Sequence, residues 1–272
     1  MTGGLGVQLV VELLVLGCFT GFLAGLLGIG GGMLMVPFMT YLLAAKGMPA
    51  EHVVKMAIAT SLATICFTSI ASVRAHHQRR AVLWQVARLL APGIVVGSLL
   101  GAQLAKALPS AALAVLFAVF VSFSAVQMLI DRKPAPTREL PGTAGMLGAG
   151  GVIGLLAALV GAGGAFVSVP FMTWCNVKIH NAVATSAALG FPIAVAGTVG
   201  YVIAGWSLRD MPPGTLGYLY LPALLTISVA SVLTAPFGAR TAHRLDTRQL
   251  KRVFAVLLFG LAASMIYKAT RL

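Results

Sequence analysis

The sequence predicts an all-α polytopic membrane protein made of two inverted-topology repeats, each of about five hydrophobic segments, with broken or re-entrant Gly-rich helices near the midplane. Three observations carry that prediction: the composition, an internal duplication, and the way basic residues divide between equivalent loops.

Of 272 residues, 59% are hydrophobic and only 9% are charged, and the mean hydropathy is +0.97, which excludes the soluble globular class. Uncharged runs such as AALAVLFAVFVSFSAVQMLI (111–130) and AVATSAALGFPIAVAGTVGYVIA (182–204) supply the roughly 20 residues that a helix needs to cross a hydrocarbon core of about 30 Å. The first apolar segment follows MTGG directly, without a basic n-region or a small-residue cleavage site, so it is expected to remain as a membrane helix. Cys18, Cys66 and Cys175 have neither disulfide nor metal-ligand spacing. The net charge of +13 sits in short loops and helix ends. That placement fits positive-inside topology and contact with anionic headgroups of a lipid bilayer, not nucleic acid.

Residues 21–41, GFLAGLLGIGGGMLMVPFMTY, align without a gap on residues 154–174, GLLAALVGAGGAFVSVPFMTW, at an offset of 133. The identities include Gly21/Gly154, Gly28/Gly161, Gly30/Gly163, Gly31/Gly164 and the shared VPFMT. KMAIATSLA (55–63) then matches HNAVATSAA (180–188), and the fifth segments match as well. The chain is expected to divide into a first transmembrane repeat (1–130), a cytoplasmic linker DRKPAPTRELPG (131–142) and a second repeat (143–272). The hydrophobic pieces run roughly 7–28, 33–45, 52–74, 83–106 and 110–130, then 143–160, 165–177, 181–204, 216–239 and 250–268. The second piece of each half spans only about 20 Å, short of a full crossing, and is expected to be a half-helix or one arm of a re-entrant hairpin.

Charge relates the halves. The loop at 74–88 carries Arg74, Arg79, Arg80 and Arg88, whereas its partner at 204–216 carries Arg209 beside Asp210. The next pair reverses the bias: residues 105–110 hold one Lys, while 240–252 hold Arg240, Arg244, Arg248, Lys251 and Arg252. Equivalent loops thus fall on opposite sides, as three crossings plus a hairpin per half require. The N-terminus is expected outside and the linker inside, although Lys46, Lys268 and Arg271 lie on the expected outer side.

Short, Gly- or Pro-interrupted segments at matching positions of two halves point to a transporter substrate site. The first turn of a half-helix leaves amide N–H groups unpaired at the positive end of the macrodipole, and glycine lets an anion come close to them. Gly28, Gly30, Gly31 and Gly32, with Gly161, Gly163 and Gly164, are therefore candidates to face an anion. Pro37 and Pro170 follow within the half-helices and free a backbone carbonyl. The same glycines equally suit close helix packing.

The paired AIATS and AVATS motifs put Thr60 and Ser61, and Thr185 and Ser186, some 6–12 Å inside their helices by the rise of about 1.5 Å per residue. They either line a central cavity or back-bond to the carbonyl four residues earlier. Lys55 and His180, just ahead of these motifs, either draw anions inward or snorkel at helix ends. Glu12 is the one acidic residue within a hydrophobic piece, so proton or sodium coupling has no evident carrier. No GxGxxG, GxxxxGK[ST], GxSxG or HExxH pattern occurs, so neither an enzyme nor a cofactor is indicated.

At the duplicated GLLGIGGGMLMVPFM and ALVGAGGAFVSVPFM, the ATS motifs and the overall length, the sequence resembles the TauE/SafE family, the sulfite exporter or toluene-sulfonate uptake permeases. The likeness covers nearly the whole chain. It implies a carrier of the bacterial inner membrane for small sulfur anions such as sulfite, thiosulfate or organosulfonates. The paired Gly, Pro and Thr/Ser positions are its implied site. Ala165 stands where the first half has Gly32, so the two sides of that site need not be equivalent. The competing reading is a non-transporting accessory or assembly subunit whose glycines serve packing alone.

Overall fold

The computed structural model describes residues 6–27, 32–130, 139–208, 211–242 and 247–271. Among these lie ten helices: α1 (Val7–Leu27), α2 (Gly32–Ala45), α3 (Ala50–Gln78), α4 (Trp84–Ala107), α5 (Ser110–Ile130), α6 (Thr143–Val160), α7 (Ala165–Trp174), α8 (Ile179–Gly205), α9 (Leu221–Ala242) and α10 (Thr247–Ala269). Eight are long and apolar enough to cross a membrane; α2 and α7 are not. With 14 and 10 residues, they reach about 21 and 15 Å. Their faces turned to other helices are buried, whereas Val11, Val119, Phe123, Val229 and Val256 lie exposed on the outer faces. A lipid solvent favours that arrangement.

The expected pieces and the helices agree within a few residues except at the ninth. Residues 216–220, expected to start a helix, lie instead in a two-stranded antiparallel hairpin, β1 (Thr215–Leu216) and β2 (Leu219–Tyr220). Pro212 and Pro213 precede it, and Gly214 and Gly217 have φ of 84° and 57°, values that no right-handed helix contains. A Cβ on Gly217 would run into the Val202 backbone, so the hairpin is folded tightly onto α8.

Packing interlocks the two halves. The helix α1 lies against α9 as α6 lies against α4; α3 pairs with α8, and α5 with α10. Exchanging each helix for the one five places away leaves this set of pairings unchanged. Two seams of small residues carry it. In one, Gly93 and Gly97 of α4 abut the carbonyls of Leu147 and Gly151 on α6, Gly150 and Gly154 abut those of Leu90 and Ile94, and the Ser98 hydroxyl donates to the Gly154 carbonyl at 3.2 Å. In the other, Gly17 and Gly21 of α1 meet Ala230 and Ser231 of α9, and the Ser231 hydroxyl donates to the Gly17 carbonyl at 3.0 Å. Helices without side chains between them approach closely enough for dispersion and weak C–H to carbonyl contacts, which drive association where lipid is as apolar as leucine.

The ATS threonines join the same frame. The Thr60 hydroxyl on α3 accepts the Tyr220 N–H at 3.2 Å, and the Thr185 hydroxyl on α8 accepts the Leu83 N–H at 3.0 Å. Leu83 and Tyr220 are the residues just before α4 and α9, so each threonine satisfies an orphan amide at the start of the other half's fourth helix. Each helix start is brought alongside its threonine from the opposite half.

Two outcomes follow from these contacts. Gly97→Ala drives a methyl into the Gly151 carbonyl and is expected to lower the detergent-solubilised protein's stability by more than about 2 kcal/mol, whereas Gly148→Ala, where nothing lies within 4 Å, is neutral or stabilising in thermal unfolding. Thr60→Val strands a buried N–H and is expected to cost about 1–3 kcal/mol in the same assay, and Thr185→Val, which strands a part-buried one, is expected to cost less.

Candidate functional site at the meeting of two helix breaks

The break between α6 and α7 is built by left-handed glycines. Gly161 ends α6 at φ 72°, with its own N–H and that of Ala162 both donating to the Ala157 carbonyl at 2.9 and 3.1 Å. This is the six-to-one closure that caps helices at a left-handed residue. Gly164 precedes α7 at φ 74°, and its carbonyl receives the Val167 and Ser168 amides. Both positions demand glycine for their backbone angle. Gly163 between them does not: a Cβ there would meet only Ile65, at 3.9 Å, so this point of the break faces open space.

The other break reaches the same place. Gly32 opens α2, and a Cβ on it would fall 2.7 Å from the Gly161 carbonyl and 2.6 Å from Ile65. Over both sits Ser61 of α3, fully buried, whose hydroxyl points to the carbonyls of Gly161 at 2.9 Å and Gly32 at 3.2 Å. One hydroxyl proton is thus shared between a backbone group of each half. Gly28, Gly30 and Gly31 lie outside the described residues.

Beside this junction a narrow cleft, with enclosed room for about one water molecule, opens between α1, α2, α3 and α9. Five hydroxyls line it: Thr20, Ser61, Thr64, Thr68 and Ser231. Each has its proton on a backbone carbonyl. Thr20 donates to Leu16 (2.8 Å), Thr64 to Thr60 (2.9 Å), Thr68 to Ile65 (3.4 Å) and Ser231 to Gly17 (3.0 Å). An acceptor entering the cleft can turn these protons toward itself, because a hydroxyl rotor has one proton and two lone pairs.

Four of these hydroxyls were not picked out from the sequence. Thr64 and Thr68 follow Ser61 at helical spacing, three and seven residues on, so they share its face and were legible there. Thr20 and Ser231 arrive through the α1–α9 seam and carry no local signal.

Other expected site residues have contacts of their own. The Ser186 hydroxyl accepts from that of Ser168 at 2.7 Å, a buried contact between α8 and α7. Pro37 is buried inside α2 and Pro170 partly buried inside α7, each a turn and a half from its break. His180 is exposed at the start of α8.

Lys55 does not snorkel. It is 3% exposed, donates to the Lys106 carbonyl at 3.1 Å in the last turn of α4, and stands 5.8 Å above the Tyr218 ring. A cation at a helix C-terminus and over an aromatic face is doubly favoured. Burial, and then the Glu51 carboxylate, push the Tyr218 phenol above its ordinary range, so the ring under Lys55 stays neutral.

Glu12 is paired too. Its carboxylate lies 3.0 Å from the Lys46 ammonium, beyond the far end of α2. The α1–α2 hairpin therefore returns the chain to the level of Glu12, which accounts for a basic residue on the expected outer side. Among the described residues no group of His, Cys, Asp or Glu is placed to hold a metal ion.

Comparison with known proteins agrees with this architecture. Residues 13–265 match the family described as Sulfite exporter TauE/SafE. A probable membrane transporter protein of Haemophilus influenzae is 35% identical over 257 residues, covering 94% of this chain and 97% of its own. Probable membrane transporter proteins of Methanocaldococcus jannaschii and Bacillus subtilis are each 25% identical, over 90% and 95% of this chain and 91% and 97% of their own. No solved structure matches. The chain thus belongs to the sulfite exporter TauE/SafE family of multi-pass membrane transporters.

Proposed function

We propose that the chain is a secondary transporter that exports a small sulfur-containing anion, sulfite or an organosulfonate, across the bacterial inner membrane. Transport proceeds by alternating access as two inverted halves rock about the paired breaks. The observation that carries this reading is the Ser61 hydroxyl shared between Gly32 of one half and Gly161 of the other, at the edge of a cleft lined by hydroxyls. The family's description, sulfite exporter, supports the substrate class.

In this mechanism Ser61 is both latch and sensor. Without substrate, its proton holds the two breaks together through neutral hydrogen bonds. An anion in the cleft takes that proton in a charge-assisted bond, which is roughly twice as strong as a neutral one. The Gly32 and Gly161 carbonyls are released from their common partner, and the two breaks become free to move apart. Binding energy is thereby spent on opening the junction, which is the differential interaction that any ligand-driven change of state requires. The left-handed Gly161 and Gly164 supply the pivot, since backbone torsion there meets no Cβ.

Ser61→Ala removes the latch and one donor to the anion. Sulfite efflux from proteoliposomes is expected to fall at least about tenfold, the equivalent of one lost charge-assisted bond, while thermal unfolding shifts by only a few degrees. Wild-type efflux by the folded variant would overturn the Ser61 junction as the site.

A further inference from the structure

We infer that the β1–β2 hairpin is the gate that closes one end of the transport route, with Lys55 as its catch. This inference rests on the alternating-access reading above and adds the part that opens.

The hairpin has no counterpart in the other half. Between α3 and α4 the chain turns in five residues, 79–83, of which only Val82 is buried. The equivalent connection from α8 to α9 takes fifteen, 206–220, and ends in three buried residues, Tyr218, Leu219 and Tyr220. A connection that only joined two helices would run over the surface. This one turns inward, at the end of α3 remote from the arginines of 79–80. Leu219 packs with Ala63 of α3, Val202 of α8 and Leu224 of α9, and the Gly217 backbone lies against that of Val202. The Tyr220 N–H reaches Thr60, the residue next to Ser61. The hairpin therefore stands between that end of the bundle and the junction of the two breaks.

Few contacts hold it there. Lys55 donates to the Lys106 carbonyl at 3.1 Å and stands 5.8 Å from the centre of the Tyr218 ring, so one buried ammonium ties the hairpin of the second half to α3 and α4 of the first. The edges of His52 and Tyr201 meet the same ring at 5.6 and 6.2 Å. The buried Nδ1 of His52 has no hydrogen-bond partner among the described residues. An unpaired polar atom favours an arrangement in which water reaches it, so the seat is not fully satisfied while the hairpin is down. With two residue pairs, the hairpin is too short to keep its own shape once lifted. Gly214, at φ 84° behind Pro212 and Pro213, gives it a hinge free of Cβ strain. Lifting it breaks the Tyr220 and Tyr218 amide bonds to Thr60 and to the Tyr201 carbonyl, whereas parting α3 from α8 would break a whole helix interface.

The test is hydrogen exchange of the full-length protein in detergent, read peptide by peptide. The amides of 218–221 are expected to exchange at least about tenfold faster than those of 56–65 in α3, and Lys55→Met is expected to speed them about tenfold more while the α4–α6 seam stays unchanged. Tyr218→Leu, which removes the ring beneath the ammonium, is expected to act in the same way. Hairpin amides as slow as those of α3, or a response to both variants that is absent or spread evenly over all helices, overturns the gate. A second arm fastens the hairpin down with Thr60→Cys and Tyr220→Cys, one hydrogen bond apart, in a chain whose Cys18, Cys66 and Cys175 are changed to alanine. Methanesulfonate, which does not cleave disulfides as sulfite does, is the transported probe in proteoliposomes. Its flux is expected to fall at least about tenfold on oxidation and to return on reduction. Equal flux in the two forms overturns the gate and leaves the transport reading standing. No flux through the wild type overturns the organosulfonate cargo, and the exchange result then decides the gate.

Discussion

Hydrocarbon offers no hydrogen bonds, so a helix can break at membrane depth only where the protein itself receives the orphaned backbone groups. Two helices break in this chain, and the rest of the architecture follows from giving their ends partners. Ser61 takes a carbonyl from each break, Gly161 closes α6 on the Ala157 carbonyl, and Gly164 receives the first amides of α7. Those arrangements need a third helix packed across both breaks, and α3, with 29 residues and every residue from 53 to 65 buried, is that helix. The glycine seams between α1 and α9 and between α4 and α6 bring the outer helices close enough to close the shell around it.

The glycines of this sequence therefore do two jobs, and the structure separates them. Gly17, Gly21, Gly93, Gly97, Gly150 and Gly154 face neighbouring backbones with no room for a Cβ. Gly161 and Gly164 hold left-handed turns, and Gly163 faces open space. The packing reading and the site reading, which compete while only the sequence is in view, hold for different glycines. The close seams tie helices of one half to helices of the other, and the left-handed glycines shape the break between α6 and α7.

Much of the fold is legible in the sequence because membrane helices are set by hydropathy and length, which are local. The short second pieces of each half and the breaks before them are of this kind. The start of α9 is less so: a single apolar stretch hides a hairpin whose cause is Gly214 and Gly217. The site is legible only in part. Ser61 is reachable from its motif, but its partners Gly32 and Gly161 lie 29 and 100 residues away. The Thr60 and Thr185 contacts span 160 and 102 residues, and Thr20 and Ser231 meet only through the seam of opposite halves. Lys55 looks like a helix-end residue free to reach water because nothing local tells of the β-hairpin and the α4 terminus that enclose it.

The two threonine clasps also set an order of events at birth. The amide of Leu83 enters the membrane region about a hundred residues before the Thr185 hydroxyl that receives it has been synthesised. Until then the start of α4 must keep that group at the aqueous boundary or lend it to the insertion machinery. The first five helices accordingly leave the ribosome unfinished, since Leu83 waits for Thr185 and Thr60 waits for Tyr220, both made in the second half of the chain.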